Sequence, residues 1–425
     1  MHKKNIWIMN HFATNMFFNK GGRHHWFAKN LIKNGYEPTI FCSNIRHNIN
    51  IQESIDFSTK KYIEKEIERI PYVFVKTPNY KGNGIQRIIN MIGFYKNLFP
   101  VSNEYLEIYG KPDIILASSV HPLTLVAGIK IAKKFGIPCI CEVRDLWPES
   151  IVEFGNLKRS SLIAKILYLG EKWIYKKADS LIFTMEGGRD YVIDKGWSRN
   201  SGGPVDINKV NHINNGIDLE EFDYNRIHYQ LEDDEFDNKE IFKVVYAGSI
   251  RKANNLELII NAAKYVNEKS KRNIRFIIFG DGNEREYLEN RCQKEKISNV
   301  VFKGKVDKKY IPYIVSQSNL NILNYAYHDI WKYGGSQNKN FEYLASGRPV
   351  LSTITMGYDI IEKNGAGISL IDQSEKSIGE AIIKIANMNT DDYLAMSNNA
   401  RNIALDYDFK VLTKKLIDVM EGLQG

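Results

Sequence analysis

The chain of 425 residues is longer than one hydrophobic core usually supports, so two domains of about 200 residues each are expected. Its composition, 43% hydrophobic and 25% charged, is that of a folded protein and excludes a disordered or low-complexity chain. The formal net charge of +8 is not gathered into an arginine-rich block. This argues against nucleic acid as a partner and favours anionic small molecules or an anionic membrane face.

The apolar run near the start ends at Asn10 and His11, too early for the core of a signal peptide. No stretch approaches the roughly 18 uninterrupted apolar residues of a membrane span. The sequence therefore predicts a cytoplasmic protein. Its four cysteines are too few and too irregularly spaced for a disulfide framework or a tetrahedral zinc site, and no metal site is predicted.

In the first half, short β-rich runs alternate with segments of helical period, which is typical of a parallel sheet covered by helices. The predicted strands are NIWIMN, PTIFCS, DIILASS, PCICEV and SLIFTM. Residues 43–72 are polar and weakly periodic and predict a surface excursion. Residues 85–99 are amphipathic and predict either an ordinary packed helix or a helix that lies on a membrane.

The second half repeats the alternation, with predicted strands KVVYAGSI, IRFIIFG, VVFKG, LNILN and PVLST. The two series meet at residues 211–223, where Asn, Gly and Asp cluster as they do in turns. We therefore predict an N-terminal domain over residues 1–210 and a C-terminal domain over residues 211–405. Both are expected to be α/β domains with a parallel sheet.

Open α/β sheets bind ligands beyond the carboxyl ends of their strands, so the loops after the predicted strands are candidate sites. Gly21 and Gly22 follow the first strand and precede a helix, where glycine lets the backbone approach a ligand; such a pair also occurs for conformational reasons alone. Arg144 and Asp145 follow the PCICEV strand. They predict either a site for a polar acceptor or a salt bridge with a helix cap.

Three predicted strand ends of the second half carry glycines, against which a base, a ribose and phosphates would lie. The first loop also holds two cations, which suit a diphosphate at a helix start, although solvated surface charge explains them equally. The residues concerned are Gly248, Ser249, Arg251, Lys252 and Asn254 in the first loop, Gly280, Asp281 and Gly282 in the second, and Lys305 and Val306 after Gly304, near the expected base, in the third.

Residues 333–350 read YGGSQNKNFEYLASGRPV. The paired glycines predict a sharp turn, Ser336 predicts a helix cap, and three apolar residues at helical spacing predict the buried face of a short helix that Gly347 ends.

Backbone amides near Asn338 and Lys339 would then point at a phosphate. Glu342, one turn further on, is placed to accept hydrogen bonds from the two hydroxyls of a ribose. The alternative is that Glu342 is only a favourable charge near a helix start, but this leaves the glycines unexplained.

Together these motifs resemble the retaining glycosyltransferases of family 4, which have the GT-B fold, and within them the WbuB-type N-acetyl-L-fucosamine transferases. The resemblance covers nearly the whole chain. It rests on Gly21-Gly22, EVRDLWPES, NNGIDLEEF, YAGSI, FGDG, FKGKV and FEYLASGRPV. In the last of these, Glu342, Ala345, Gly347 and Pro349 match the family signature Glu-x-x-Ala-x-Gly-x-Pro.

The resemblance implies two Rossmann-like domains that face each other across a cleft, with residues 406–425 forming a helix that crosses back to the N-terminal domain. It implies that the C-terminal domain holds most of a nucleotide-diphosphate sugar, with Glu342 on the ribose. It also implies transfer with retained anomeric configuration and no bound metal or other cofactor.

The chain departs from the family pattern at three places. An earlier glutamate of the signature is replaced by Gly334, and the common Arg and Lys of the AGSI loop by Ser249 and Asn254. Arg251, Lys252 or Lys339 would then balance the diphosphate charge. Where many members carry a histidine before the aspartate of the RD motif, this chain has Arg144.

The function expected from the resemblance is transfer of a sugar from a UDP-sugar, an N-acetylhexosamine or a deoxy relative, to a lipid-diphosphate-linked saccharide in bacterial O-antigen or capsule synthesis. Asp145 would orient the acceptor. The protein would be cytoplasmic, with peripheral contact to the inner membrane. Two alternatives are a UDP-sugar 2-epimerase and a catalytically silent nucleotide-sugar-binding subunit.

Overall fold

The structure, a computed structural model, describes residues 3–46, 60–80, 82, 84–119, 121–155 and 157–423. The chain forms two compact units, one made of Met1–Asn214 with Phe409–Gly425 and the other of Asn215–Asp408. The division thus falls between residues 214 and 215, where the sequence placed it between 210 and 211. The chain returns to the first unit at Phe409, three residues after the predicted position.

The first unit is built on an eight-stranded sheet. Its strands are β1 (Asn5–Met9), β2 (Glu37–Ser43), β3 (Tyr62–Ile67), β4 (Ile70–Val75), β5 (Ile114–Ser118), β6 (Cys139–Val143), β7 (Ser180–Phe183) and β8 (Val210–His212). The helices between them are α1 (Thr14–Asn19), α2 (Arg23–Lys33), α3 (Ile85–Tyr109), α4 (Pro122–Phe135), α5 (Glu149–Glu153), α6 (Leu162–Lys177) and α7 (Gly188–Asp194).

The strand order is β3-β4-β2-β1-β5-β6-β7-β8, and every pair is parallel except β3 with β4. β1 shows how the sheet is covered on both faces, because neighbouring side chains of a strand point to opposite faces. Ile8 belongs to the buried apolar cluster that includes Phe27 of α2. Trp7 meets Tyr105 of α3 on the other face, with ring centroids 5.5 Å apart.

The predicted surface excursion over residues 43–72 is wrong for its last part. Residues 62–67 form β3, and residues from 70 onward form β4, whose apolar side chains are buried in the sheet. The rest of that prediction falls largely on residues 47–59, which lie outside the described residues.

The second unit is built on a six-stranded sheet with the order β11-β10-β9-β12-β13-β14, parallel throughout. Its strands are β9 (Phe242–Ala247), β10 (Ile274–Phe279), β11 (Val300–Gly304), β12 (Leu320–Leu323), β13 (Val350–Ser352) and β14 (Gly367–Ser369). Its helices are α8 (Leu219–His228), α9 (Asp234–Asp237), α10 (Leu256–Lys269), α11 (Arg285–Lys294), α12 (Ile311–Ser316), α13 (Asn338–Ala345), α14 (Glu375–Ala386) and α15 (Thr390–Asp406).

The last helix, α16 (Phe409–Glu421), belongs to the first unit. Its Phe409 ring packs on α2, 4.8 Å from Trp26 and 5.2 Å from Phe27 between centroids.

Two parallel-sheet α/β domains confirm the predicted fold class. Within the described ranges, no helix is long and apolar enough to cross a lipid bilayer.

Candidate functional site

At the carboxyl edge of the second sheet, one lysine lies among aromatic side chains. Nζ of Lys339 donates to the hydroxyl of Tyr246 at 3.0 Å and lies over the rings of Tyr246 and Tyr325, 4.5 and 4.9 Å from their centroids. This enclosure lowers the pKa of Lys339 to about 8, with Glu342 acting in the opposite direction. Among the described residues, no carboxylate lies within ion-pair distance of the Lys339 ammonium.

The loop after β9 is shaped around this lysine. A Cβ atom on Gly248 would lie 2.7 Å from Nζ of Lys339, so a larger residue here would displace the ammonium from its present position. The Tyr246 hydroxyl donates to the Ser249 carbonyl at 2.9 Å. Asn254 donates from Nδ2 to the carbonyl and the hydroxyl of Ser249, at 2.7 and 2.9 Å. The structure thus brings predicted residues of the first loop together with Lys339.

The glycines of the second loop are explained by contact between loops. A side chain on Gly280 would collide with the Gly248 carbonyl, and one on Gly282 with the Ile250 carbonyl. The carbonyl of Asp281 accepts from the Ile250 amide at 2.9 Å. Their proximity to a nucleotide stays a prediction.

The other predicted site residues on the loops of the second unit are exposed or half-buried. Arg251 and Lys252 follow Ser249 as exposed side chains, and Lys305 is exposed after β11. Val306 is half-buried against an apolar cluster of the unit. None of these four positions has a contact that assigns it a role, so their functions stay predictions.

The helix α13 begins at Asn338, with Gln337 as its N-cap residue and no capping side chain. The prediction that Ser336 caps it is wrong, because the Ser336 hydroxyl accepts from the Asn215 amide at 3.0 Å and its carbonyl accepts from Nδ2 of Asn215 at 2.7 Å. The first amides of a helix lack intrahelical partners and carry a partial positive charge. This helix end is therefore available to an anion.

The predicted buried face and end of this helix are confirmed, since Phe341, Leu344 and Ala345 are fully buried and Gly347 follows with a φ of 64°. Glu342 is half-buried, and its Oε1 lies 3.7 Å from Nζ of Lys308. Because residues three apart share a helix face, Lys339 and Glu342 place a cation and a carboxylate on one face near the helix start, although the two groups are not within ion-pair distance.

The departure at Gly334 has a backbone cause. Its φ of 90° lies where side chains other than glycine are strained. A glutamate therefore fits poorly at residue 334 in this backbone conformation.

In the first unit, Arg144 and Asp145 follow β6. The backbone of Arg144 is held on both sides, with its amide donating to the Ser119 hydroxyl at 3.0 Å and its carbonyl accepting from the Thr184 hydroxyl at 3.1 Å. The Asp145 carboxylate is exposed, but partial desolvation by the surrounding protein raises its pKa, against the effect of Arg144. Among the described residues these two form no ion pair, and the N-cap of α5 is Pro148. The salt bridges of this stretch are made instead by Glu142 with Arg23 and by Glu149, the first residue of α5, with Arg159 and Lys195.

Sequence reasoning did not find the buried network around Glu142. Its Oε1 accepts from Nε of Arg23 at 2.7 Å, and its Oε2 accepts from the Ser118 hydroxyl at 2.6 Å and lies 2.9 Å from Nε2 of His24. Burial would raise the pKa of Glu142, but Arg23 and His24 hold it well below its ordinary value. The double histidine that follows Arg23 in the sequence was the available signal.

This network gives the first glycine pair a structural setting. Gly22 is the N-cap residue of α2, which presents Arg23 to Glu142, and its φ is 116°. A Cβ atom on Gly22 would lie 3.0 Å from Cγ of Met16, while the Gly21 amide donates to the Met16 carbonyl at 3.2 Å. The conformational explanation accounts for Gly22, and a role of either glycine in donor binding stays a prediction.

Two family matches follow one another along the chain. Residues 25–221 match Glycosyltransferase Family 4, and residues 230–403 match Glycosyl transferases group 1. No curated protein matches the sequence at a significant level.

Among solved structures, sucrose-phosphate synthase from Thermosynechococcus elongatus is similar at a TM-score of 0.71 and 15% identity over 99% of both chains. HepE from Anabaena in complex with UDP has a TM-score of 0.63 and 12% identity, over 99% of this chain and 100% of that one. WaaG, a glycosyltransferase involved in lipopolysaccharide biosynthesis, has a TM-score of 0.62 and 14% identity, over 98% of this chain and 100% of that one. At such identities the likeness establishes the fold. With the two family matches, it identifies the chain as a GT-B glycosyltransferase in which a family 4 domain is followed by a group 1 domain.

Proposed function

We propose that this enzyme transfers a sugar from a UDP-sugar, an N-acetylhexosamine or a deoxy relative, to a lipid-diphosphate-linked saccharide during bacterial O-antigen or capsule synthesis. Transfer retains the anomeric configuration, as in the WbuB-type transferases that the sequence resembles, and uses no metal. The observation that carries the donor assignment is the half-buried Lys339 ammonium, which lies over two tyrosine rings at the amino end of α13. The UDP complex of HepE supports a UDP-sugar as the donor, and the role of WaaG in lipopolysaccharide biosynthesis supports a role in the synthesis of a surface saccharide.

The environment of Lys339 favours an anion. An ammonium that has lost solvent without gaining a carboxylate partner costs free energy, which an anionic ligand recovers. The free amides of α13 act on the same ligand through the helix dipole. A nucleoside diphosphate satisfies both groups, and Glu342, one turn along the same face, then accepts from the ribose hydroxyls.

The reaction follows from this placement. As the bond between the sugar and the diphosphate breaks, negative charge develops on the departing phosphate oxygen, where Lys339 and the helix amides stabilise it. Arg251 and Lys252 add charge from the neighbouring loop. The acceptor hydroxyl attacks from the same face of the sugar, and its proton passes to the departing phosphate. Asp145 orients the acceptor.

The family matches favour transfer over the epimerase and over the silent subunit. The strongest argument for a silent subunit was the missing glutamate at Gly334. The φ at this residue strains side chains other than glycine, and Lys339, Arg251 and Lys252 remain to balance the diphosphate charge in place of the usual contact.

The test is a transfer assay with UDP-sugars and a lipid-diphosphate-linked acceptor. We expect Asp145→Asn to reduce transfer by about a hundredfold or more, in the range of lost catalytic positioning, while UDP binding is unchanged. Glu107→Gln, at an exposed carboxylate in the last turn of α3, is the matched control and should transfer normally.

Three results would go against the proposal. Unchanged transfer by Asp145→Asn removes the acceptor role. A new nucleotide sugar formed from the UDP-sugar alone shows an epimerase. Neither transfer nor donor hydrolysis with any UDP-sugar shows a silent subunit. The anomeric configuration of the product, read by NMR, decides between retention and inversion.

A further inference from the structure

The first unit exposes two apolar stripes on its helices. Each lies along one helix face, because its members are spaced so as to recur on one side of the helix. The stripe residues are Ile85, Ile88, Ile89 and Ile92 on α3, and Leu162, Ile163, Ile166 and Leu169 on α6. Their exposed fractions run from 39% at Ile92 to 75% at Ile85, so each of these large apolar side chains presents a substantial area to solvent. We call the two stripes together the apolar surface.

Both stripes belong to one helical layer. The helix α3 leads from β4 to β5, α4 from β5 to β6 and α6 from β6 to β7, all in the same direction across the sheet. Right-handed crossovers in one direction place their helices on one face of the sheet. Accordingly, α3 packs on α4 and α4 packs on α6.

The stripes also lie at one edge of this layer. A crossover helix starts beside the carboxyl end of the strand that precedes it and runs back along the sheet. Both stripes occupy the amino-terminal halves of their helices and hence the carboxyl edge of the sheet. Arg144 and Asp145 follow β6 at the same edge.

The exposed charged side chains of this layer are mostly basic, and those within one turn of a stripe residue are Lys96 and Lys165. Among the described residues of α3, α4 and α6, the exposed basic side chains are Lys96, Lys130, Lys133, Lys134, Lys165, Lys176 and Lys177. The exposed acidic side chain of these helices is Glu107, in the last turn of α3 and away from its stripe.

We propose that the apolar surface seats the first unit on an anionic lipid bilayer, with the stripes in the headgroup boundary and Lys96 and Lys165 against lipid phosphates. An apolar helix face flanked by basic side chains binds such a surface by both effects. A protein partner fits less well, because lysine is depleted from protein interfaces. The inference rests on the proposed function: a lipid-linked acceptor holds its sugar at the membrane surface, beside the edge that carries Asp145.

The test is co-sedimentation with lipid vesicles. We expect the protein to sediment with vesicles of equal parts phosphatidylglycerol and phosphatidylcholine, and more weakly with phosphatidylcholine alone. Ile88→Ser with Ile92→Ser, and Leu162→Ser with Ile166→Ser, should each weaken partitioning by about tenfold or more, given the apolar area withdrawn from lipid. Lys96→Gln with Lys165→Gln should weaken it on the anionic vesicles alone.

The matched control is Ile371→Ser, at a side chain of the second unit that is 94% exposed, which should partition like the parent protein. Because every substituted side chain is exposed, thermal unfolding should be unchanged. Equal partitioning of stripe variants and control would overturn the proposal. So would a solution dimer that the stripe variants dissociate without any vesicle binding by the parent. UDP binding in solution reports the proposed function separately, since it does not depend on lipid.

Discussion

The ammonium of Lys339 lies where aromatic rings replace water, so it holds its proton less tightly than an exposed lysine does. A bound diphosphate supplies the missing negative partner and raises the pKa of Lys339 again. UDP therefore binds more tightly to the protonated form, and binding and protonation are linked.

In the free protein the folded state binds fewer protons than the unfolded state between about pH 8 and the ordinary lysine pKa of 10.5. Through this residue, stability rises with pH in that window.

The linkage makes a pH-dependent affinity the expected result at this residue. As pH rises above about 8, the UDP dissociation constant should increase, by at most about tenfold per pH unit. Phosphate groups of UDP are ionised throughout this range. Lys339→Arg keeps its charge at every pH used and should remove the dependence. Calorimetric titrations from pH 7 to 9.5 measure both proteins, and a similar slope for Lys339→Arg would assign the titration to another group.

For single residues, the local sequence pattern indicated the chemistry of a side chain better than it indicated which atoms that side chain contacts. Ser336 has the chemistry of a helix cap, but Asn215, 121 residues earlier in the chain, supplies the donors that it accepts. Gly280 packs so closely on the Gly248 carbonyl that a side chain would collide with it, a contact that the sequence did not predict. Such competition between local and distant partners is decided by tertiary packing, which a local motif does not contain.

Among the elements, α16 contributes to a core far from it in sequence. Leu412 is fully buried, and with Phe409 it belongs to the apolar cluster that contains residues of α2 and β1. The core of the first unit therefore includes side chains of the last helix of the chain.

A pair of neighbouring substitutions tests this contribution. Leu412→Ala should lower the free energy of unfolding of the first unit by about 2–5 kcal/mol, the cost of a cavity at a buried leucine. Val411→Ala, at an exposed neighbour, should change it by less than about 1 kcal/mol. Urea unfolding followed by tryptophan fluorescence compares the two. Equal effects would show that α16 is not part of this core.

Element bounds were predictable where the pattern is strong and local. The amphipathic segment over residues 85–99 is part of α3, but the helix continues through Pro100 to Tyr109. Proline in a helix interior costs about 3 kcal/mol. Buried Val101 and Tyr105 supply packing that offsets this cost, and packing of this kind is not visible in periodicity. The strand β3 was missed for a related reason. Several of its side chains are polar, and it is a strand because its backbone pairs with that of β4.

For the whole molecule, the fold class was predictable because the alternation of strands and helices runs through both halves of the chain. The strand order was not, since β1 pairs with β2 and β5 through contacts between segments distant in sequence. The return of the chain at Phe409 followed from the family resemblance alone. The motif around Glu342 was recognised, while Tyr246 and Tyr325, whose rings lie under the Lys339 ammonium, come from different strand ends.

The most direct test of the site compares UDP with uridine. If the diphosphate rests on Lys339 and the ribose on Glu342, Lys339→Met should weaken UDP binding by about 10–100-fold, as for a lost charge-assisted hydrogen bond, and leave uridine binding within about twofold. Glu342→Gln should weaken the binding of both ligands. The control Lys376→Met, at an exposed lysine of α14, should leave the binding of both unchanged. Competition calorimetry measures all four proteins. Undiminished UDP affinity in Lys339→Met would contradict the placement of the diphosphate at the amino end of α13.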